Sequence, residues 1–94
     1  MVYLEAFEIA EKEAAKGKPA LICKDGDRFY VNITDQLSLT SIGHGFIRLH
    51  PDGKVDPLTD EAKGFERDLE GAEGYRGPRL SHEDVAGVLR TAGV

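Results

Sequence analysis

The chain has 94 residues, of which 40% are hydrophobic and 31% are charged, and its formal net charge is −5 at pH 7. This balance is typical of one globular domain spanning residues 1–94, and it excludes intrinsic disorder and a two-lobed enzyme with a deep cleft. No apolar run reaches the roughly 18 residues of a membrane span, and the acidic start differs from a signal peptide. With its single cysteine, Cys23, the chain is expected to be cytoplasmic.

The first predicted element is an amphipathic helix over residues 2–16. Gly17 suits the left-handed position after a helix, and Pro19 prevents continuation. The apolar stripe of this helix comprises Tyr3, Ala6, Phe7, Ala10 and Ala14.

A β-hairpin is predicted over residues 19–34, with Asp25-Gly26 as a two-residue type I′ turn. This turn places Lys24 opposite Asp27 and Ile22 opposite Phe29, so one face of the hairpin is apolar. The other face is half-polar and is expected to meet solvent or a partner. That face carries Leu21, Cys23, Arg28, Tyr30 and Asn32.

Residues 35–45 are predicted as an irregular connection that leads into a second hairpin over residues 46–58. Pro51-Asp52-Gly53 fits a type I turn followed by a left-handed glycine. The resulting three-residue loop pairs Leu49 with Val55 and Arg48 with Asp56.

Two further helices are predicted, over residues 60–69 with a Thr59 cap and over residues 81–92 with a capping box that begins at Ser81. Glycines break the intervening residues 70–80. The order of elements predicts an α+β domain with a small antiparallel sheet of two hairpins, three or four strands in all. The N-terminal helix and the C-terminal helices cover one face of this sheet.

The negative charge is concentrated in residues 52–73, where eight acids and three bases account for the whole excess. This field argues against nucleic-acid binding through phosphates and suits a basic surface on a protein partner. A solvated helix face that prevents aggregation explains the same pattern. The candidate binding residues on the predicted helix are Asp60, Glu61, Glu66 and Asp68.

The glycine-rich residues 70–80 supply a second candidate binding segment. Tyr75, Arg76 and Arg79 are of the types that dominate binding hot spots, and a loop could present them to a partner. A mobile polar connection is the alternative interpretation.

No residue pattern predicts a catalytic centre, a metal site or a cofactor. Cys23 could act as a thiolate with His44 or His50, but its position in the middle of a strand favours a structural thiol. The histidines, including His82, and Asp52 lack the spacing of metal ligands.

Residues 45–55, Gly-Phe-Ile-Arg-Leu-His-Pro-Asp-Gly-Lys-Val, precede a short acidic helix and follow an alanine-rich helix and a hairpin. This succession, about half of the chain, is similar to that of small bacterial immunity proteins. The resemblance implies a bacterial or phage protein that acts by binding, and it carries over no site residue.

The sequence therefore predicts a small acidic, non-catalytic protein-binding module: an inhibitor, an immunity-type protein or a regulatory accessory protein. The alternative is a small hydrolase or transferase that uses Cys23 with a histidine. Leu21 and Tyr30 on the half-polar hairpin face also suggest a homodimer. Neither a membrane nor a nucleic acid is expected as a partner.

Overall fold

The structure, a computed structural model, describes residues 1–33, 45–70 and 80–92. Three helices and five strands are found in these ranges. In chain order they are α1 (Tyr3–Ala14), β1 (Ala20–Asp25), β2 (Arg28–Ile33), β3 (Gly45–Leu49), β4 (Lys54–Pro57), α2 (Asp60–Glu70), β5 (Leu80–Ser81) and α3 (His82–Ala92).

The strands form one antiparallel sheet in the order β2-β1-β3-β4-β5. All three helices contribute to a single hydrophobic core with one face of the sheet, which confirms the predicted α+β fold. The two-residue β5, which was not predicted, extends the sheet to five strands by pairing Leu80 with Val55.

The first hairpin forms, but its predicted register is wrong by two residues. Asp25 lies opposite Arg28 and Ile22 opposite Val31, so the turn residues are Gly26 and Asp27. Gly26 has φ 64°, whereas Asp27 does not have a positive φ. A positive φ at the first turn position alone is the pattern of a type II′ turn, which favours glycine there. A shift of two residues leaves every side chain on its predicted face.

The second hairpin has the predicted register, with Leu49 opposite Val55 and Arg48 opposite Asp56. Gly53 adopts φ 86°, as the predicted turn requires. The Asp52 carboxylate accepts a hydrogen bond from the Lys54 amide at 3.0 Å, which stabilises the turn.

The predicted helix caps are confirmed. The Thr59 hydroxyl accepts a hydrogen bond from the Ala62 amide at 3.2 Å at the start of α2. At α3, the Ser81 hydroxyl accepts from the Asp84 amide at 3.1 Å, and the Asp84 carboxylate accepts from the Ser81 amide at 3.4 Å. This reciprocal pair is a capping box with aspartate as the acidic member.

An aromatic cluster centred on Tyr3 joins four elements. The Tyr3 ring centroid lies 4.9 Å from Phe29 of β2, 5.3 Å from Phe46 of β3 and 5.7 Å from Phe65 of α2. The register between β1 and β3 shifts at Ile22/Cys23 and leaves Phe46 as an extra residue. This bulge lets Phe46 join the helix-side core, where strict alternation would turn it away.

The sheet face opposite the helices is less open than predicted. Leu21 and Cys23 are fully buried there, although the sequence indicated a face turned to solvent or a partner. Both lie on β1, which has a neighbouring strand on each side. In the ladder Leu21 is flanked by Asn32 and Arg48, whose side chains lie on the same face of the sheet. Leu21 is therefore not part of an exposed dimerisation face.

Candidate protein-binding surface

The sheet ends in two edge strands of very different length. β5 has only two residues, and a short edge offers little backbone to another chain. β2 has six residues, Arg28–Ile33, and contains no proline. The β2 edge is therefore the longer free edge in the described part of the fold.

The backbone of β2 is only partly paired on its outer side. The Phe29 amide donates to the Met1 carbonyl at 3.1 Å, and the Met1 nitrogen donates to the Phe29 carbonyl at 3.5 Å. Because hydrogen-bonding direction alternates along an antiparallel strand, the N–H and C=O groups of Val31 and Ile33 also point away from β1. Within residues 1–33, 45–70 and 80–92, no backbone group outside the sheet is bonded to them.

The large apolar side chains that are exposed in the described residues all lie on this side of the molecule. Tyr30 and Ile33 are on β2 itself, and the Met1–Phe29 hydrogen bonds hold Met1 and the adjoining Val2 beside it. The exposed fractions are 47% for Met1, 56% for Val2, 42% for Ile9, 41% for Tyr30 and 41% for Ile33.

Ile9 is placed on this side by the rotation of α1. On one flank of the helix, Glu11 faces α3, since its carboxylate lies 3.8 Å from His82 Nδ1. Ile9 precedes Glu11 by two residues, which is about 200° around the helix. It therefore lies on the flank away from α3. Because α1 packs over β1 and β2, that flank is beside the β2 edge.

We call this region the β2-edge surface. It consists of the outward backbone groups of Val31 and Ile33 together with the exposed side chains just described. An unpaired strand edge bordered by apolar side chains is the arrangement to which extended peptides bind by adding a strand.

The predicted acidic residues lie on α2 and are partly neutralised. Glu61 forms an ion pair with Lys24, and Asp60 lies 3.9 Å from the Lys63 ammonium group. Asp68 is exposed and Glu66 is half-buried. No ion pair of either is found within the described ranges. The other predicted binding residues, Tyr75, Arg76 and Arg79, lie outside the described residues.

The structure gives no support to a thiolate at Cys23. The side chain is fully buried, and burial raises the pKa of its thiol, although a hydrogen bond with Tyr30 acts in the opposite direction. Leu49 pairs with Ala20, which is three residues from Cys23, or about 10 Å along β1. His50 follows Leu49 and lies at least as far away from Cys23. His50 Nε2 instead lies 2.6 Å from an Asp56 carboxylate oxygen. His44 lies outside the described residues.

His82 joins three elements without forming a metal site. Its backbone N–H donates to the Gly53 carbonyl at 2.9 Å, and its ring lies edge-on to Phe7 of α1. Burial lowers the pKa of His82, and the carboxylate of Glu11 opposes this shift. Nowhere in the described chain do three or more His, Cys, Asp or Glu side chains gather in a way that could hold a metal ion.

The β2-edge surface was not among the predicted binding sites. Tyr30 was predicted to lie on the half-polar hairpin face, but no binding role was predicted for Met1, Val2 or Ile9. The surface depends on strand order, because β2 is an edge strand only if β3 pairs with β1. The signal in the sequence was the apolar residues Met1, Val2 and Ile9, which lie outside the apolar stripe predicted for the first helix.

None of the helices in the described ranges has the length and apolar character needed to cross a membrane. Comparisons of the chain with protein-family models, with curated proteins and with solved structures find no match, so no relative supplies a function or a set of site residues.

Proposed function

We propose that this protein is a small, non-catalytic protein-binding module that binds an extended segment of another protein at the β2-edge surface. The observation that carries the proposal is the coincidence of a free strand edge with every large exposed apolar side chain of the described residues. Backbone hydrogen bonds at such an edge contribute affinity, and alternate side chains contribute specificity. The acidic helix and the 70–80 segment are not needed for this mode of binding.

The charge of the chain bears on the kind of partner. A net charge of −5 repels an acidic segment and a second copy of this chain, and it attracts a neutral or basic one. We therefore assign the surface to a different protein, with the homodimer as an outcome that the test can reveal. An inhibitor, an immunity-type protein or a regulatory accessory protein in the cytoplasm would act in this way. The cysteine-enzyme alternative is favoured by none of the described contacts.

The test uses the protein as bait, with a C-terminal tag, in lysate of the cells that make it. Ile33→Lys places a charge on the edge, and Val31→Pro removes an outward N–H without touching a hydrogen bond to β1. Thr91→Lys adds the same charge at an exposed position of α3 and is the matched control. Circular dichroism confirms that each variant is folded.

The proposal is supported if a protein bound by the wild type and by Thr91→Lys is lost from both edge variants. It is wrong if both edge variants keep the protein or if the wild type binds none. A Glu66→Gln/Asp68→Asn variant tests the acidic helix. Loss of binding in that variant alone would transfer the function to α2. Capture of the chain's own untagged copy would indicate a homodimer.

A further inference from the structure

Arg48 carries a charge that the described part of the chain does not neutralise. It lies on the sheet face opposite the helices, in a row across four strands that consists of Asn32, Leu21, Arg48 and Asp56. The guanidinium group forms no ion pair and no hydrogen bond with any described residue. Its Nε is buried without a partner, whereas the terminal nitrogens Nη1 and Nη2 still reach solvent. The end of the side chain is therefore open to a ligand.

Asp56 is the residue expected to neutralise Arg48, but its carboxylate is bonded elsewhere. The two residues lie directly opposite each other in the ladder, where Cβ atoms are about 4.5–5.5 Å apart. Asp56 Oδ2 instead lies 2.6 Å from His50 Nε2. His50 follows Arg48 by two residues and shares its face of the sheet. Because this bond holds the carboxylate toward His50, Arg48 is left without a counter-ion.

A guanidinium group in this setting should bind an anion better than one on an exposed side chain. The Nε of Arg48 has lost its hydration without gaining a hydrogen bond, so the group is less strongly solvated. A half-buried side chain also has less conformational freedom to lose on binding. Nη1 and Nη2 can donate two parallel hydrogen bonds to the two oxygens of a carboxylate.

We propose that Arg48 is a binding site for a carboxylate group, kept available by the hydrogen bond between His50 and Asp56. A singly charged carboxylate suits the site better than phosphate, because Asp56 adjoins it and repels a doubly charged ion more strongly. β1 separates Arg48 from β2, so the site does not depend on the function proposed above. A small organic acid or a carboxylate of another protein can supply the group.

The first test uses sodium acetate, titrated against sodium chloride at constant ionic strength and about pH 6. NMR follows the Nε–H signal of each arginine. We expect a saturable shift at Arg48 with a Kd of roughly 10–100 mM, the range for one hydrogen-bonded ion pair. Arg90, which is exposed on α3, is the internal reference and should not saturate in this range. The proposal is overturned if Arg48 shows no saturable shift or if Arg90 shows the same one.

Two variants test the two parts of the proposal. Arg48→Gln removes the charge, whereas His50→Val keeps it and releases Asp56 to pair with Arg48. Each should weaken acetate binding at least about tenfold, as read from the backbone amide signals of β3 and β4. Arg90→Gln is the matched control and should bind acetate like the wild type. Circular dichroism confirms that each variant is folded. Undiminished binding by Arg48→Gln would refute the site, and undiminished binding by His50→Val would refute the role of the His50–Asp56 bond.

Further arms identify the ligand. Phosphate at the same ionic strength should bind Arg48 more weakly than acetate, and tighter binding would overturn the choice of a carboxylate. As bait in lysate, Arg48→Gln is compared with Arg90→Gln. A captured protein that only Arg48→Gln loses would supply the carboxylate itself, whereas equal capture would assign the site to a small acid. The edge variants Ile33→Lys and Val31→Pro leave Arg48 in place, so the two proposals can fail separately.

Discussion

Removing the Tyr3 hydroxyl should stabilise this protein. The ring packs among Phe29, Phe46 and Phe65, but its oxygen is buried and has no hydrogen-bond partner among the residues that the structure describes. A buried polar group without a partner costs about 1–3 kcal/mol of folding free energy. Tyr3→Phe keeps the ring in place, so it should raise the free energy of unfolding by about 1 kcal/mol, which is about 4–8 °C in Tm for a domain of this size.

The same substitution has a predictable pH dependence. Burial raises the pKa of Tyr3 above its ordinary value of 10.0, so the folded chain keeps the proton at a pH where the unfolded chain loses it. Above pH 10 the wild type should therefore lose about 1.4 kcal/mol per pH unit through Tyr3. The phenylalanine variant lacks this loss, and its advantage should widen between pH 9 and pH 11.

Urea denaturation at pH 7, 9 and 11 measures both effects, because the other tyrosines are common to the two chains. Tyr3→Ala is the contrasting variant and should lose about 3–5 kcal/mol through lost ring packing. A decrease in stability of Tyr3→Phe at pH 7 would show that the hydroxyl has a partner after all. A constant difference from pH 9 to pH 11 would refute the inferred protonation.

Substitution of two glycines by alanine should change the free energy of unfolding, measured in urea, in opposite directions. Gly53→Ala should lower it by about 1 kcal/mol, because Gly53 has φ 86°. Gly87→Ala should raise it by about 0.5–1 kcal/mol, because Gly87 lies in α3 with open space around it. The same sign for both would contradict the backbone assignment. Because burial lowers the pKa of His82 below 6.5, its neutral form favours the folded state. The stability advantage of the wild type over His82→Asn should shrink as the pH falls from 8 to 5, and a growing advantage would mean that Glu11 dominates. Cys23 should react with a thiol reagent at pH 8 more slowly than free cysteine does, and faster reaction would revive the cysteine enzyme.

Local signals predicted the local structure well. The register of the second hairpin followed from Gly53, and the helix starts followed from Thr59 and Ser81, because each depends on hydrogen bonds between near neighbours. The first hairpin shows the limit of such reasoning. Gly26 can occupy either position of a two-residue turn. The predicted turn is Asp25-Gly26, whereas the turn in the structure is Gly26-Asp27. The predicted faces of the two strands were still correct, because the register was wrong by two residues and side chains alternate with a period of two.

The candidate surface could not be predicted in the same way. Charge is visible in the sequence, and it favoured Asp60, Glu61 and the other acids of α2 as binding residues. The pairing of Glu61 with Lys24 depends on how α2 packs beside the first hairpin. The free edge of β2 depends on the pairing of Leu21 with Arg48, residues distant in sequence. Such long-range pairing is decided by packing rather than by local patterns.

The aromatic cluster also gives the protein an internal optical signal. The chain has no tryptophan and three tyrosines. A tyrosine held in a fixed asymmetric setting produces near-ultraviolet circular dichroism, which disappears when side-chain packing is lost. Tyr3 is in such a setting, between rings from β2, β3 and α2. Phe29 belongs both to this cluster and to β2, the strand whose edge we propose as the binding site. Binding can therefore be followed without a label through the Tyr3 signal, although the partner does not touch the Tyr3 ring.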